Sequence, residues 1–405
     1  MKVLFLSPHY PAEMLDFSRG LTEVGATVYG VGDAPAAQLP PRVRPYLHDY
    51  LQVPGLLHEE RALPLLVEAA RRIGADRVET LWEPLVLLAA RVRDAMGIVG
   101  MDYDTTLGFR DKPTMKARLQ EAGVRVPRFS RANSVRGVLQ GAREIGYPVV
   151  LKPVAGAGTA DTWRVDDEDE ARARLATMGH VPEVSIEEFI EGEEFTYDGV
   201  AIEGEAVFES ITQYHPPPLQ GRTQEWISPA QITLRDPHTP AVRGGVELGR
   251  QALAALRIGT GFFHMEWFKT RSGEAVFSEI GYRNGGAKLV DAINYANEMD
   301  IYREWARAVC WHAFEAQPRR KYHVVTVFKR ALGRGRITRV EGLEAVRQRA
   351  GRGLIEEGLL PVGHPRRNWK NTLMSDGHVT MRSVDYDDVC GMRDVAVEQL
   401  RMFAE

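Results

Sequence analysis

The chain has 405 residues, of which 44% are hydrophobic and 26% are charged, and its formal net charge at pH 7 is −4. This length allows a sizeable buried core in roughly two to four domains, and the composition excludes gross disorder. The small negative charge gives no reason to expect nucleic acid or an anionic membrane as a partner.

The cysteine content and the amino terminus bear on the cellular compartment. Cys310 and Cys390 are the two cysteines, which excludes a disulfide framework or a metal–thiolate cluster. The amino-terminal apolar run, residues 3–6, is too short for a signal-peptide core, and no later segment is long enough to span a membrane. We therefore expect a cytoplasmic protein without a membrane partner.

The first hundred residues predict a βαβ start and hence a parallel sheet. The predicted strands are residues 2–6, 27–31 and 78–81, and the predicted helices are residues 14–24, 59–73 and 84–96. No Gly-x-Gly-x-x-Gly follows the first strand, which argues against a dinucleotide site. Ser7, His9 and Glu83 lie at strand ends, where α/β clefts open, and we interpret them as capping or loop residues rather than ligands.

Two lysines and a small-residue loop follow in a pattern that favours phosphate binding. Asp111 can cap a helix running through residues 115–121, and Lys112 in its first turn opposes the helix dipole unless an anion is bound nearby. Lys152 ends a fully apolar strand, where an unpaired charge is costly to bury. The backbone N–H groups of the loop at residues 154–162 can wrap phosphate oxygens. A solvated lysine and a plain hairpin turn are the alternatives.

An acidic stretch and a proline-rich stretch come next. Residues 184–196 predict two strands joined by a turn at Gly192, with five glutamates that form either a site or a solvated edge: Glu187, Glu188, Glu191, Glu193 and Glu194. Strands at 205–213 and 225–233 bracket residues 215–220, which we interpret as a lid or a connector. A helix is predicted at residues 239–256.

The most informative stretch, residues 261–286, predicts a β-hairpin with Ser272-Gly273 at its tip. With an even-numbered loop, Glu266 lies directly across from Glu279, and like charges so placed repel. A divalent cation removes that repulsion, and Mg²⁺ takes one or two carboxylates plus substrate phosphates. The alternative is a solvated face, and a three-residue loop would shift the register and separate the pair.

The two-residue period of a strand divides this hairpin into an apolar and a polar face. The apolar face is predicted to hold Phe263, Met265, Trp267, Ser278 and Ile280. The polar face is predicted to hold Glu266, Glu279, Gly281 and Arg283. The remainder of the chain predicts further strands and a terminal helix near residues 389–403, without a catalytic constellation.

In this order the motifs resemble those of the ATP-grasp superfamily, over roughly residues 111–294. They are Asp111-Lys112, Pro148-x-x-x-Lys152, the Gly-rich loop, Ile186-Glu-Glu-Phe-Ile-x-Gly-Glu-Glu194 and Glu266…Glu279-x-x-x-Arg283. The resemblance implies a fold of α/β and α+β character. It divides the chain into a Rossmann-like N-terminal domain (1–103), an ATP-grasp small or lid lobe with its preceding helix (104–190), a large lobe with the metal site (191–320) and a C-terminal mixed lobe that completes the central sheet (321–405).

The resemblance also implies which residues bind ATP. Lys112 and Lys152 would contact phosphates. The remaining nucleotide contacts would be Gly156, Gly158 and Thr159 in the loop over the phosphates, Glu187 with the backbone of Glu188, Phe189 and Ile190 for adenine, and Glu194 for the ribose hydroxyls.

The implied metal site consists of Glu266 and Glu279, which would bridge Mg²⁺ ions, with Mn²⁺ as a substitute. Arg283 and Lys152 are the implied catalytic residues, because they would hold the acyl phosphate and the reactants in line. Gly281 stands where the family often has Asn, and it cannot ligate through a side chain. The occupancy of a second metal position therefore stays open.

The reaction that the resemblance implies is ATP-dependent carboxylate–amine ligation through an acyl phosphate, with release of ADP and phosphate. The chain resembles both L-amino-acid ligases and biotin carboxylases. Asn284-Gly-Gly-Ala-Lys288 lacks the carboxylate that biotin carboxylases carry after the arginine, and Glu225 aligns with their bicarbonate lysine. Both departures favour ligation of an amine over carboxylation.

Two other hypotheses are a biotin- or bicarbonate-type carboxylase and a nucleotide-binding subunit or sensor without turnover. The expected partners are small-molecule carboxylates and amines, whose identities the side chains do not announce. His215, His264 and Tyr282 are alternatives for a general base. A homodimer is the assembly that the resemblance suggests, and the oligomeric state is otherwise open.

Overall fold

The computed structural model describes residues 1–11, 15–154, 161–221, 223–370, 372 and 374–405. Their strands form four sheets, of four, four, eight and three strands. The α/β and α+β fold class predicted for the chain is confirmed.

The first sheet is parallel throughout, as the βαβ start predicts. It contains β1 (Lys2–Leu6), β2 (Thr27–Gly32), β3 (Asp49–Gln52) and β4 (Arg77–Glu79) in the order β3-β2-β1-β4. The helices of this domain are α1 (Phe17–Glu23), α2 (Glu59–Ile73) and α3 (Val86–Met96). The third helix begins later than predicted because Glu83–Leu85 forms a 3₁₀ turn.

The second sheet is antiparallel and follows two short helices, α4 (Tyr103–Gly108) and α5 (Lys112–Glu121). Its elements are β5 (Phe129–Ala132), α6 (Val135–Ile145), β6 (Val149–Pro153), β7 (Trp163–Val165), α7 (Glu168–Thr177) and β8 (Val184–Glu188), with strand order β5-β8-β6-β7. The predicted cap of α5 is confirmed, since the Asp111 carboxylate accepts a hydrogen bond from the Thr114 N–H.

The third sheet has eight strands and carries most of the core. Its first strands in chain order are β9 (Gly192–Ile202), β10 (Glu205–His215), β11 (Ala230–Thr233), β12 (Gly261–Thr270), β13 (Ala275–Gly281) and β14 (His323–Phe328). The helices that lie between these strands in the chain are α8 (Pro218–Gly221), α9 (Arg243–Leu256), α10 (Leu289–Asn297) and α11 (Ile301–Trp311). The strand predicted at 225–233 starts only at Ala230, and the helix predicted at 239–256 starts at Arg243.

The end of the chain contributes to two sheets. Its elements are β15 (Leu332–Gly333), β16 (Ile337–Glu341), α12 (Leu343–Ala350), β17 (Leu354–Glu357), β18 (His378–Ser383), α13 (Tyr386–Glu398) and β19 (Arg401–Ala404). The eight-stranded order is β13-β12-β9-β10-β11-β14-β18-β17, and the small sheet has the order β15-β19-β16.

Helix α11 joins the first sheet to the eight-stranded sheet. Trp305 of α11 lies with its ring centroid 6.0 Å from Phe5 of β1, 5.2 Å from Phe17 of α1 and 6.3 Å from Phe262 of β12. These aromatic contacts belong to one buried cluster. The N-terminal domain is therefore held against the large sheet, which brings the residues that follow β4 close to the end of β13.

Two further observations concern the cysteines and the helices. Both cysteines are free thiols, with Cys310 buried and Cys390 partly buried. None of the helices in the described ranges combines the length and the apolar character that crossing a bilayer requires.

Candidate active site

Glu266 and Glu279 face each other across β12 and β13, as predicted, but the hairpin reaches this register by a different route. The Thr270 N–H donates to the Glu274 carbonyl at 3.0 Å, so the loop has three residues, and near the tip Lys269 pairs with Ala275. An even-numbered loop was therefore the wrong expectation. A β-bulge between Glu266 and Trp267 adds one residue to β13 and restores the carboxylate pair.

The bulge also corrects the predicted division of the hairpin faces. Phe277 pairs with Trp267 and is buried in the same core cluster. Ser278, which the strand period placed on the apolar face, instead lines the cavity beside Glu279. The extra residue lets the larger apolar side chain take the core position, so two successive residues point to the polar side.

A cavity of about 430 Å³ lies between the second sheet and the eight-stranded sheet. This volume is in the range of small-molecule sites. The predicted site residues that line it are Lys112, Lys152, Glu187, Glu188, Phe189, Ile190, Glu194, Glu266 and Glu279. Gly156, Gly158 and Thr159, predicted to fold over the phosphates, lie outside the described residues.

The lysines of the cavity are paired with its carboxylates. Lys112 Nζ lies 3.1 Å from Glu279 Oε2, and Lys152 Nζ lies 4.0 Å from the same oxygen. Lys152 Nζ also lies 2.9 Å from Glu187 Oε2, and Lys116 forms an ion pair with Glu187 Oε1. Burial opposes the charge on Lys152, but Glu187 and Glu279 outweigh it and raise the pKa of Lys152.

The glutamates of the cavity differ in charge state because they differ in neighbours. Burial alone would raise the pKa of Glu187, but Lys116 and Lys152 outweigh it and lower the pKa to about 2. The same balance, with Lys112 and Lys152, lowers the pKa of Glu279. Burial and then repulsion from Glu266 and Glu279 raise the pKa of Glu194 well above its usual value.

Glu187, for which the resemblance implies an adenine contact, is paired with two lysines in this structure. Both of its carboxylate oxygens are directed to lysines, and Ser185 Oγ also donates to Oε1 at 2.9 Å. The side chain thus lies with the lysines at the phosphate end that the resemblance implies. The backbone of residues 188–190 still lines the cavity, so the adenine contact expected of that segment stays a prediction.

His264 lies beneath the predicted metal carboxylates. Its Nδ1 is 2.6 Å from Asp198 Oδ1, and its Nε2 is 3.7 Å from Glu266 Oε1. Burial opposes a charge here, but Asp198 and Glu266 outweigh it and raise the pKa of His264 to about 9. A histidine that stays protonated at neutral pH is a poor base, which argues against His264 as the general base.

The other two general-base alternatives are placed differently. Burial and the nearby Arg393 lower the pKa of His215 to about 4, and its Nδ1 lies 3.3 Å from an Arg393 nitrogen. Tyr282 donates its hydroxyl hydrogen to the Thr260 carbonyl at 2.5 Å. Burial and then the charge of Glu79 raise the pKa of Tyr282. Neither position favours proton abstraction in the cavity.

Arg283 connects the end of β13 to the N-terminal domain. Its Nε donates to Glu83 Oε2 at 2.8 Å, and Arg110 lies 3.5 Å from Glu83 Oε1. Burial opposes the charge on Arg283, but Glu83, Glu279 and Glu266 outweigh it and raise its pKa. Glu83 lies in the 3₁₀ turn that follows β4, and the sequence pattern did not identify Arg283 as its partner because the two residues are 200 apart in sequence.

Sequence reasoning missed Lys116, Asp198 and Arg110 as parts of this arrangement. Lys116 had a usable signal, since it lies one helical turn after Lys112 and so faces the same way. Asp198 and Arg110 had none, because their importance depends on contacts with His264 and Glu83 that no local spacing reveals.

The donor set fits a magnesium ion held jointly with a phosphate. The side chains of Glu266 and Glu279 are 20% and 26% exposed, so both remain accessible from the cavity. Within the described ranges, no group of three or more His, Cys, Asp or Glu residues is arranged to hold a metal by itself. One or two carboxylates completed by phosphate oxygens is the coordination that Mg²⁺ prefers. A side chain at Gly281 would crowd the Arg283 stem, since an added Cβ there would lie 3.2 Å from Arg283 Cγ.

Comparisons with known proteins show which families and folds the chain is similar to. The ATP-grasp domain family model matches residues 109–214. The chain is 28% identical over 232 residues to an L-arginine-specific L-amino acid ligase of Bacillus subtilis, which covers 56% of this chain and 55% of the relative. The chain therefore spans about half the length of that relative.

Solved structures show the same fold over the whole chain. An L-amino acid ligase from Bacillus licheniformis superposes with a TM-score of 0.81 at 20% identity, covering 100% of this chain and 98% of that one. An N5-carboxyaminoimidazole synthetase from Staphylococcus aureus, complexed with ADP, superposes with a TM-score of 0.72 at 13% identity, covering 98% and 97%.

Proposed function

We propose that this chain, whose residues 109–214 match the ATP-grasp domain family, is an ATP-dependent carboxylate–amine ligase that forms an amide through an acyl phosphate. The observation that carries the proposal is the set of opposed charges in one cavity. Lys112 and Lys152 face Glu266 and Glu279 there, and Arg283 stands at the end of β13.

The charges of the cavity suit a triphosphate and a cation together. At present Lys112 is paired with Glu279, and Lys152 is paired with Glu187. A triphosphate would provide anionic partners for both lysines, and Glu266 and Glu279 would then be free to hold Mg²⁺. When bound there, Mg²⁺ neutralises charge on the phosphate oxygens. The ADP complex of a synthetase with the same fold supports a nucleotide as a ligand of this fold.

The reaction needs a carboxylate, ATP and an amine. An oxygen of the carboxylate attacks the γ-phosphorus, the bond to the β–γ bridging oxygen breaks, and ADP leaves. The amine nitrogen then attacks the acyl carbon, loses a proton and expels inorganic phosphate. Arg283 and Lys152 hold the acyl phosphate and the reactants in line, and each such contact typically contributes about 3 to 4 kcal/mol to lowering a barrier.

One observation supports an amine over bicarbonate as the acceptor. Glu225 stands where the resemblance to biotin carboxylases places a bicarbonate-binding lysine, and it forms an ion pair with Arg366 at 2.5 Å. A carboxylate at that position, neutralised by the C-terminal part of the chain, gives bicarbonate no cation to bind. The names of the curated relative and of the solved Bacillus ligase support an amino acid as one of the substrates.

A hydroxylamine assay tests the proposal without knowledge of the amine. A panel of amino acids and other carboxylic acids is incubated with ATP, Mg²⁺ and hydroxylamine, which traps an acyl phosphate as a hydroxamate. We expect hydroxamate and ADP to form with a subset of the acids. A parallel incubation with labelled bicarbonate distinguishes carboxylation. Incorporation of bicarbonate label without any hydroxamate, or ATP binding with no turnover for any acid, would contradict the proposal.

A further inference from the structure

Lys116 lies behind the wall of the cavity, and the proposed reaction assigns it no role. Its side chain is 1% exposed, and the described residues that line the cavity do not include it. It lies on α5 one turn after Lys112, and its Nζ forms an ion pair with Glu187 Oε1. A buried lysine is costly to keep charged, and burial lowers the pKa of Lys116 to about 8 even beside Glu187.

Glu187 is shared between this hidden lysine and a lysine that faces the cavity. Lys152 Nζ lies 2.9 Å from Oε2, while Lys116 and the Ser185 hydroxyl engage Oε1. The carboxylate is itself 4% exposed. If Lys152 turns to a phosphate oxygen, Oε1 keeps both of its partners. Without Lys116, the same movement would leave a buried carboxylate with no cation, which is strongly unfavourable.

We propose that Lys116 is a positioning residue that acts through Glu187: it neutralises this carboxylate so that Lys152 is released to bind the phosphates of the nucleotide. The proposal rests on the proposed function, because it requires phosphates in the cavity. It assigns Lys116 no contact with ATP.

This role has a signature that a purely structural ion pair lacks. Loss of Lys116 strengthens the hold of Glu187 on Lys152, and so it weakens binding in proportion to the phosphate groups that Lys152 contacts. Adenine and ribose contacts are unaffected. Removing the Glu187 charge in addition frees Lys152 again, so the second substitution restores what the first one lost. Residues joined in one ion-pair network show such non-additivity.

The experiment measures dissociation constants for ATP, ADP and AMP by calorimetry with the full chain and Mg²⁺. For Lys116→Met we expect about a 10- to 30-fold loss of ATP affinity, which corresponds to a coupling of a common size. The affinity for AMP changes by less than about threefold. In Lys116→Met/Glu187→Gln, the affinity for ATP returns to within about threefold of the value for Glu187→Gln alone.

Lys329→Met provides a matched control for the loss of a buried lysine. Lys329 is 4% exposed, and its Nζ donates to the Ala396 and Val397 carbonyls at 3.1 Å, at the end of α13. This substitution costs stability and leaves the ratio of ATP to AMP affinity unchanged. Melting temperatures of all variants separate unfolding from weak binding. Should Lys116→Met not fold, Lys116→Gln keeps a hydrogen-bond donor for Glu187 and is expected to change the ratio in the same direction.

Equal losses for ATP and AMP in Lys116→Met, or no recovery in the double variant, would overturn the proposal. Failure of the unsubstituted protein to bind ATP would instead contradict the proposed function, so the two failures are distinguishable.

Discussion

Two buried glutamates in different regions of the molecule have pKa values that depart from the usual value in opposite directions. Glu187 in the cavity wall is 4% exposed, and Glu79 at the end of β4 is 5% exposed. Burial tends to raise both pKa values. At Glu187 two lysines outweigh burial and lower the pKa to about 2, whereas at Glu79 burial prevails over Arg93 and Arg77 and raises the pKa to about 7.

The difference lies in what the neighbouring cations are bound to. The Arg93 guanidinium donates to the Met101 carbonyl at 2.9 and 2.7 Å and to the Val78 carbonyl at 2.8 Å. Arg77 donates to the Val309 and Asp76 carbonyls, each at 3.0 Å. These arginines are committed to the backbone, so they give Glu79 only a distant charge. The lysines at Glu187 direct their ammonium groups to the carboxylate itself.

Depth of burial therefore does not decide the charge of a glutamate here, and the availability of a cation does. In the cavity, the cations come from α5 and β6, and the carboxylates that they keep ionised are Glu187 of β8 and Glu279 of the eight-stranded sheet. We expect a bound nucleotide and metal ion to separate these pairs. We expect no such change of ion-pair partners at Glu79.

The largest effect in the cavity region should follow from Glu279→Gln, which removes a predicted metal carboxylate and the partner of Lys112. Metal stabilisation of phosphoryl transfer is worth several kcal/mol, so hydroxamate formation should fall by at least about 10³-fold. Steady-state ADP release with the best acid checks this. Glu274→Gln at the hairpin tip, where the side chain is 52% exposed, is the matched control and should leave the rate unchanged. A Glu279→Gln rate within about tenfold of the unsubstituted protein would remove this carboxylate from the proposed site.

Lys152→Met, which also changes a cavity residue, should reduce the reaction rate less than Glu279→Gln does. Glu187 keeps Lys116 and Ser185 as partners in this variant, so the fold should tolerate the change. We expect kcat/KM for ATP to fall by about 10²- to 10³-fold, as is typical when one electrostatic contact to the transition state is lost. Initial rates of ADP release over a range of ATP concentrations measure it. A fall of less than about fivefold would argue against a phosphate contact.

Glu79→Gln tests whether Glu79 lacks a cation partner, and the measured quantity is the stability of the protein. A folded-state pKa of about 7 lies above the 4.5 of an unperturbed glutamate, so the folded chain holds the proton more tightly. The contribution of Glu79 to stability therefore improves as pH falls through 7 towards 4.5 and is least favourable above pH 7. We expect the variant to be about 1 to 2 kcal/mol more stable than the unsubstituted protein at pH 8, since a buried amide still costs some free energy.

Urea denaturation at pH 8 and pH 5.5 measures this difference, which should shrink or change sign at the lower pH. Glu205→Gln, at an exposed position that begins β10, is the control and should show no pH-dependent difference. A Glu79→Gln variant that is less stable at pH 8 would mean that a cation does reach Glu79.

The smallest effect is expected at the tip of the β12–β13 hairpin. Gly273 has φ +88°, and an added Cβ would meet nothing within 4 Å, so only backbone strain opposes a side chain. Gly273→Ala should destabilise the protein by about 1 kcal/mol. Gly179→Ala is the matched control, because that glycine is equally uncrowded without a left-handed φ. Denaturation midpoints compare the two, and equal values would show that the turn does not depend on this conformation.

The β12–β13 hairpin shows what local sequence patterns can and cannot predict. Apolar alternation on β12 and the turn residues predicted two paired strands, and the pairing of Glu266 with Glu279 is correct. The loop length and the position of Ser278 are wrong, because the bulge depends on packing Phe277 against Trp267 in the core. A similar limit applies at Glu187: the sequence left it as part of either a site or a solvated edge, and its pairing with Lys116 of α5 depends on the tertiary structure.

The sequence by itself determined most of the helices and strands, the Asp111 cap, and the order in which lysines, small residues and glutamates follow one another, because periodicity, capping and turn formation act over a few residues. Tertiary structure alone decided which charges meet. Arg283 pairs with Glu83, 200 residues away, Lys116 of helix α5 pairs with Glu187 of β8, and His264 is held as a cation by Asp198 on a neighbouring strand. Such pairings follow from which sheets face each other, and the free energy of a buried charge depends on the partner within a few ångströms rather than on its neighbours in the chain.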